Sequence, residues 1–165
     1  MTSSTKMHYP DATRRVLSVL EQHNTAYELR SYEVPAHHAV EAAALLGSPL
    51  GAVVKSLVFQ NDSEPEMILV LVSGENRVNV SLLNNLVKGS CHQASPDSVQ
   101  EEVGYPVGAV PPFGLKRQFS VFVDRDLMAY ELVWGSAGSI NVLLGIPPND
   151  LVKLSLGRVE QLKSS

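Results

Sequence analysis

Two apolar segments separated by a short polar stretch constrain the fold more than any other feature of the sequence. Val53 to Gln60 and Met67 to Ser73 are rich in β-branched and large apolar residues, which is typical of buried strands. The stretch between them, Asn61-Asp62-Ser63-Glu64-Pro65, consists of residues that favour turns. The pattern predicts a central β-hairpin whose two strands lie inside the protein.

Helices are predicted on both sides of this hairpin from helical spacing of apolar residues and from capping residues. Asp11 is expected to cap the first helix, Gly47 to end the second, and Ser95 to cap the fourth, where a proline follows at the first helical position. The five helices are expected to begin at or near Asp11, Val40, Ser81, Ser95 and Pro147.

Shorter β-rich segments come in adjacent pairs with helices between the pairs. They are Ala26 to Glu33, Phe119 to Val123, Glu131 to Trp134, Ile140 to Leu144 and an edge strand over Gly157 to Gln161. This order favours an α/β (α+β) fold with a mixed, mostly antiparallel, barrel-like sheet flanked by helices, rather than a doubly wound parallel sheet. We expect one domain over residues 11–165 after a flexible start over residues 1–10.

Composition restricts the cellular setting and the partners. The longest apolar run, Met67 to Val72, is too short to cross a membrane, and Met1 to Pro10 lacks the apolar segment of a secretory signal. Cys91 is the single cysteine, so no internal disulfide can form and a cytoplasmic location is expected. A net charge of −4 argues against a DNA partner and against an interface that covers a long stretch of RNA. Lys116-Arg117 could still form part of a local basic patch.

Several common kinds of catalytic site are missing from the sequence. There is no phosphate-binding P-loop, no dinucleotide-binding glycine motif, and Trp134 stands where a nucleophile elbow needs its first glycine. His37 and His38 are adjacent and diverge on a strand, so they cannot readily share a metal and we expect no metal site. We also expect no cofactor. Cys91 beside His92 is interpreted as a buried structural cysteine, because sequence neighbours seldom face each other.

Lys55 is out of place in the first strand of the hairpin, where both faces are otherwise apolar. One interpretation is a lysine whose stem covers apolar surface while its ammonium reaches solvent, or which protects a strand edge. The other is an ammonium at the floor of a cleft, placed for a phosphate, a carbonyl or a ribose. Spacing alone leaves both interpretations open.

Two glycine-rich segments accompany this lysine. Gly104 to Gly114 contains three prolines and too many glycines for a helix or an inner strand, so it is either a surface connection or a stiff loop. A loop of the second kind can present bare backbone N–H groups to a water or an oxyanion. Gly135 to Gly138 is either a tight hairpin or a second wall that approaches a ligand closely.

Together, these segments resemble the YbaK/EbsC family, which is related to the prolyl-tRNA synthetase editing domain. The resemblance covers about Tyr32 to Gln161 and keeps both order and spacing. It is carried by Val54-Lys55-Ser56-Leu57-Val58-Phe59, Val72-Ser73-Gly74, Gly104-Tyr105, Gly108, Pro111-Pro112-Phe113-Gly114, Asp124 and Ser136-Ala137-Gly138. Ala109 departs from the family, since many members have a second glycine there.

The resemblance implies an aminoacyl-tRNA deacylase that acts on the acceptor end of a mischarged tRNA, such as Ala- or Cys-tRNA for proline, alone or with a synthetase. It places the essential lysine at Lys55 and the G-x-x-x-P loop at Gly108 to Pro112. Lys55 and Gly108 are expected to be catalytic. Ser56, Pro112, Gly114 and the walls Phe113 and Ser136-Ala137-Gly138 are expected to bind substrate. Two alternatives stay open: a non-catalytic module that binds a tRNA end or a synthetase, and a hydrolase of a small ester or amide.

Overall fold

The predicted hairpin lies at the centre of the structure, a computed structural model that describes residues 9–164. Within that range the chain forms five α-helices and eight strands. The helices are α1 (Asp11–Gln22), α2 (Ala39–Leu46), α3 (Val80–Val87), α4 (Pro96–Val103) and α5 (Pro148–Ser155). The strands are β1 (Glu28–Ser31), β2 (Val54–Asn61), β3 (Glu66–Ser73), β4 (Cys91–Gln93), β5 (Ser120–Asp124), β6 (Val133–Ser139), β7 (Val142–Ile146) and β8 (Arg158–Glu160).

The larger of two sheets has the strand order β4-β2-β3-β5-β8. Strands β2 and β3 pair antiparallel over their full length, which places Lys55 opposite Val72, while β5 and β8 join in parallel. Every residue of β3 after Glu66 is buried. This burial explains its continuous apolar sequence, because helices and the second sheet cover both faces.

The smaller sheet is antiparallel, with the order β1-β7-β6. Among the described residues, pairing between the two sheets is limited to one bridge, between Val53 and Trp134. The prediction of a mixed, mostly antiparallel arrangement flanked by helices is therefore confirmed. The two sheets do not close into a barrel, because β2 and β6 separate beyond that bridge.

Helix α1 packs its predicted apolar face into the core, where Val16, Leu17 and Leu20 have no exposed surface. The predicted cap was wrong by one position: Pro10 precedes the helix and Asp11 is its first residue. The carboxylate of Asp11 pairs with the Arg14 side chain one turn along, so it does not cap a backbone N–H.

The other predicted helix ends are present. Helix α2 ends at Gly47 with φ of 66°, a left-handed conformation that glycine adopts without strain. The hydroxyl of Ser95 accepts a hydrogen bond from Ser98 N–H at 3.2 Å at the start of α4, and Pro96 follows as the first helical residue. Helix α5 begins at Pro148.

Two segments differ from the sequence-based expectation. The short strand β4 was missed, since three residues carry too little pattern. The segment Gly135 to Gly138 is not a turn but lies inside β6, and the chain reverses after it, at Ile140-Asn141. Glycine serves close packing here: a Cβ on Gly138 would lie 3.0 Å from the carbonyl carbon of Ala12 in α1.

Three expectations concern the chain as a whole. The flexible start predicted for residues 1–10 falls mostly outside the described residues, and the domain boundary at residue 11 stays a prediction. Cys91 is buried and free, as expected of a structural cysteine. No helix within residues 9–164 combines the length and the apolar character needed to cross a bilayer.

Candidate active site

The candidate site lies where the two sheets separate. Val53, the residue before β2, forms a bridge with Trp134 of β6. The two strands then diverge, and a cleft of about 290 Å³ fills the gap. The N-terminal part of α2 and the loop between α4 and β5 contribute its other walls. Four predicted site residues line this cleft: Lys55, Ser56, Gly108 and Ser136.

Lys55 gives the cleft its ammonium group. Its side chain is partly buried near the start of β2, and Nζ donates a hydrogen bond to the main-chain oxygen of Asn76. Burial is the main cause that lowers the pKa of the Lys55 ammonium; the Arg77 guanidinium adds to this effect, and the Asp124 carboxylate opposes it. The ammonium is therefore partly dehydrated and held by a fixed acceptor.

A buried carboxylate fixes the loop that carries Asn76. Asp124 is 1% exposed, and its Oδ2 accepts hydrogen bonds from Ser73 N–H at 3.0 Å and from Asn76 Nδ2 at 2.8 Å. Asn76 Nδ2 also donates to Asp126 Oδ2 at 2.8 Å. The side chain of Asn76 thus links two carboxylates while its main-chain oxygen receives Lys55, so the position of the ammonium depends on this network.

The same loop lies so close to neighbouring backbone that glycine is required at position 74. Gly74 N–H donates to Val53 O at 2.7 Å, and a Cβ on Gly74 would lie 2.5 Å from Leu50 O. Ser73 Oγ donates to Gly51 O at 2.7 Å. These contacts explain the Ser-Gly pair that follows β3 and hold the loop over the start of β2.

The glycine–proline loop, residues 104–119, supplies the opposite wall. Ala109 N–H donates to Pro106 O at 3.0 Å, and Gly108 has φ of 89°, as expected of the third residue of a type II turn. Tyr105 Oη donates to Gly114 O at 2.7 Å and closes the loop. No hydrogen bond described within residues 9–164 uses the N–H of Gly108, so this donor is available to a water or a ligand.

Strand β6 contributes one of its three predicted residues. Ser136 lines the cleft, and its hydroxyl accepts a hydrogen bond from Gly138 N–H at 3.0 Å. Ala137 points into the main core with no exposed surface, and Gly138 packs against α1. These three residues form part of a bulged strand, so the interpretation of Gly135 to Gly138 as a tight hairpin was wrong.

Three further predicted residues lie elsewhere. Pro112, Phe113 and Gly114 line a second cavity of about 260 Å³, which α1 and α5 also line. Phe113 is 4% exposed and belongs to the main core cluster. The structure does not bring these residues to the cleft, because the loop turns away from it after Val110.

The apolar part of the cleft comes from residues that the sequence did not single out. Ala42, Val53, Trp134 and Leu143 are buried together and all line it. The small side chains of the alanine-rich helix α2 leave the space that a ligand could occupy. Asn76 was also missed, because its contact with Lys55 is made by a main-chain oxygen and depends on how the chain folds back after β3.

The donor set limits the chemistry of the cleft. None of its lining residues in the described chain carries a carboxylate or a thiol, and the histidines there, His37 and His38, are exposed at its mouth. Ser56 Oγ is buried without a hydrogen-bond partner among residues 9–164. The cleft can bind an anion or a carbonyl and orient a water, but it lacks a carboxylate base.

Comparisons with known proteins bear on this arrangement. A family model described as the aminoacyl-tRNA editing domain matches residues 33–154, the part of the chain that contains Lys55, Gly108 and Ser136. The match also includes Asn76 and Asp124, which hold the lysine in place.

Two solved structures are similar over nearly their whole length. The crystal structure of a proposed trans-editing enzyme for prolyl tRNA synthetase is 33% identical, with a TM-score of 0.86 over 95% of this chain and 99% of that chain. That of hypothetical protein APE2540 is 30% identical, with a TM-score of 0.84 over 90% of this chain and 98% of that chain. Both alignments cover the two sheets and the helices that form the cleft in this chain.

Curated relatives are of two sizes. Proline--tRNA ligase of Nitratidesulfovibrio vulgaris is 40% identical over 99 residues, which cover 58% of this chain and only 17% of the ligase. The protein YwhH of Bacillus subtilis is 26% identical over 138 residues, which cover 84% of this chain and 87% of that protein. The chain therefore corresponds to a small part of the ligase and to most of YwhH.

Proposed function

The chain belongs to the aminoacyl-tRNA editing domain family, and on that premise we propose that it is a trans-editing deacylase. It hydrolyses the ester that joins a wrong amino acid to the terminal ribose of a tRNA. The structural likeness to a proposed trans-editing enzyme for prolyl tRNA synthetase supports this activity in a chain of this length. The similarity to part of proline--tRNA ligase supports a tRNA for proline as substrate.

One observation carries the proposal: a partly buried ammonium, held by Asn76 O, lies in a cleft with no carboxylate among its described lining residues. An aminoacyl ester is reactive enough to be cleaved by positioning and oxyanion stabilisation alone. Orientation contributes about 7–11 kcal/mol in favourable cases, and one oxyanion donor about 3–4 kcal/mol. The cleft supplies both kinds of group without an acid–base pair.

The residues divide into two roles. Lys55 anchors the ester carbonyl or a phosphate of the terminal nucleotide, for which a cation with donor hydrogens is suited. The N–H of Gly108 orients the attacking water, and a free ribose hydroxyl of the substrate relays the proton. Ser56 and Ser136 line the space beside the reacting group and bind substrate there.

The apolar part of the cleft receives the amino-acid side chain. We expect a small residue such as alanine, cysteine or serine there, because one methylene changes binding by only about 1–3 kcal/mol and a synthetase therefore confuses small amino acids. The net charge of −4 fits contact with the acceptor end alone. The protein acts in the cytoplasm, either on its own or bound to a synthetase.

Deacylation of a panel of mischarged tRNAs tests this function. Wild type is expected to release the amino acid from at least one of alanyl-, cysteinyl- or seryl-tRNA for proline, and Lys55→Ala is expected to lose at least about 100-fold of that rate. Lys153→Ala, which removes a lysine from α5 away from the cleft, is the matched control and keeps the rate.

The same panel separates the alternatives. A non-catalytic module would bind these tRNAs without turnover, and a hydrolase of small esters would cleave an alanyl ester equally well without the tRNA. Either result contradicts the proposal, as does normal turnover by a correctly folded Lys55→Ala variant, with folding checked by circular dichroism.

A further inference from the structure

Strand β2 has an open edge inside the cleft. The partner on that edge, β4, reaches β2 only from Phe59 onward, and the first contact beyond it is Ala94 N–H donating to Val58 O at 2.9 Å. Backbone groups of successive residues point to opposite edges of a strand, so Ser56, two residues before Val58, directs its N–H and C=O toward the same edge. There they have no ladder partner within residues 9–164.

The open stretch is closed at both ends. On one side, the bridge between Val53 and Trp134 joins β2 to β6. On the other side, Val58 is already bonded to Ala94. Val54 adjoins the bridge, so Ser56 is the residue between the two closures whose N–H and C=O take part in neither of them. The edge has room for a single residue and not for a peptide.

An aminoacyl group has the donor and acceptor of one residue: an α-amino group and an ester carbonyl. We propose that it pairs with Ser56 as a one-residue strand, with the α-amino group donating to Ser56 C=O and the ester carbonyl accepting from Ser56 N–H. This inference rests on the proposed deacylase function and adds a requirement for a free α-amino group. The substrate is then recognised by the backbone, which is the same for every amino-acid side chain.

Charge and packing at the edge are compatible with this pairing. An α-amino group titrates near pH 7.7–8.0, and the neighbouring ammonium of Lys55 favours its neutral form, which keeps its N–H donors. Side chains of Lys55 and Ser56 point to opposite faces of β2, so the lysine does not obstruct the edge. Ser56 Oγ, buried without a partner, lies beside the proposed contact and can accept or donate a further hydrogen bond once substrate is present.

A set of acyl groups on one tRNA tests the inference with the unmodified protein. Alanyl-, propionyl- and N-acetylalanyl-tRNA for proline share the ester but differ at the α-position. For each, the enzymatic rate is divided by the spontaneous hydrolysis rate of the same ester, which removes differences in intrinsic reactivity. We expect this acceleration to fall at least about tenfold for propionyl-tRNA, which lacks the α-amino donor and leaves Ser56 C=O unpaired.

N-acetylalanyl-tRNA is expected to be equally poor, because the added peptide unit needs a second residue of open edge. Equal acceleration of the alanyl and propionyl esters would overturn the pairing, as would efficient cleavage of the N-acetylalanyl ester. These outcomes are distinct from failure of the deacylase function itself, in which alanyl-tRNA would not be hydrolysed or its hydrolysis would not depend on Lys55.

Discussion

The two walls of the cleft are built in different ways. On the β2 wall, the ammonium of Lys55 is held through Asn76 by a buried carboxylate, Asp124, which is 1% exposed. On the opposite wall, the turn that carries Gly108 contributes backbone alone, fixed by the Ala109–Pro106 hydrogen bond. One wall therefore relies on a network of charged and polar side chains, and the other on the conformation of a glycine.

This difference implies different responses to mutation. A buried network stabilises the fold and positions the lysine at once, so damage to it lowers stability and activity together. A glycine turn at the surface contributes little to stability, so damage to it lowers activity with a small change in the free energy of unfolding. The comparison can be tested by measuring both quantities for variants of each wall.

Asp124→Ala is expected to have the largest effect. It leaves Ser73 N–H buried without an acceptor and removes one of the two carboxylates that the Asn76 amide contacts, and each unsatisfied buried group costs about 1–3 kcal/mol. We expect the free energy of unfolding, measured in urea, to fall by about 3 kcal/mol or more. Deacylation by the folded fraction falls at least about tenfold, because Lys55 loses its fixed acceptor.

Asp126→Ala is the matched control for that variant. Asp126 accepts from the same amide of Asn76, but its side chain is 42% exposed and its other partner is Lys163, at 2.8 Å. Exposed ion pairs contribute at most about 1 kcal/mol. Equal destabilisation by the two substitutions would show that the buried carboxylate has no special role in holding the lysine.

Gly108→Ala is expected to separate activity from stability. A side chain at φ of 89° is strained by roughly 1–2 kcal/mol, although the nearest atom to the new Cβ is 4.0 Å away. We expect kcat to fall about tenfold as the turn shifts the N–H that orients water, a loss of about 1.4 kcal/mol of transition-state stabilisation.

Gly47→Ala provides the comparison, since Gly47 also has positive φ, at 66°, and no neighbour within 4 Å of an added Cβ. It should show a similar loss of stability with unchanged kcat. If both variants lose activity to the same extent, general loosening of the fold and not the Gly108 turn explains the result.

The sequence predicted strand β2 and its lysine better than the residues that hold this lysine in place, Asn76 and Asp124. The hairpin of β2 and β3 follows from local pattern, and with it the odd position of Lys55. Asn76 could not be predicted, because its contact with Lys55 depends on how the chain folds back after β3, held by Gly74 against Leu50 O. Such a contact has no signature in spacing.

The glycine-rich segments were harder to interpret, since glycine serves both turns and close packing. Gly108 was expected in a ligand-facing loop, and it does line the cleft, where its role stays a proposal. At Gly138 the same residue type instead lets α1 lie against β6. Phe113 was assigned to a pocket wall from the family pattern, but its loop turns into the core, which only tertiary packing decides.

The smallest expected effect concerns the charge that surrounds Lys55. Burial and the Arg77 guanidinium lower the pKa of the Lys55 ammonium from its ordinary value. As pH is raised, deacylation that needs this ammonium therefore begins to decline before the ordinary pKa of a lysine is reached. Arg77→Met removes the repulsion and moves the alkaline limb of the kcat/KM profile to higher pH. Because Arg77 is exposed, the difference from wild type narrows as salt is added.

The lowered pKa of Lys55 also affects the free energy of unfolding, which rises with pH over the range in which deacylation declines. Since the folded protein releases the Lys55 proton more readily than the unfolded chain, stability rises with pH between the lowered pKa and the ordinary one. Arg77→Met flattens this rise, whereas Arg14→Met, on α1 and paired with Asp11, leaves both profiles unchanged. An alkaline limb that does not move in Arg77→Met would show that the ammonium of Lys55 does not set the pH dependence of kcat/KM. The β2 wall would then contribute to deacylation by positioning the substrate and not by the charge of Lys55.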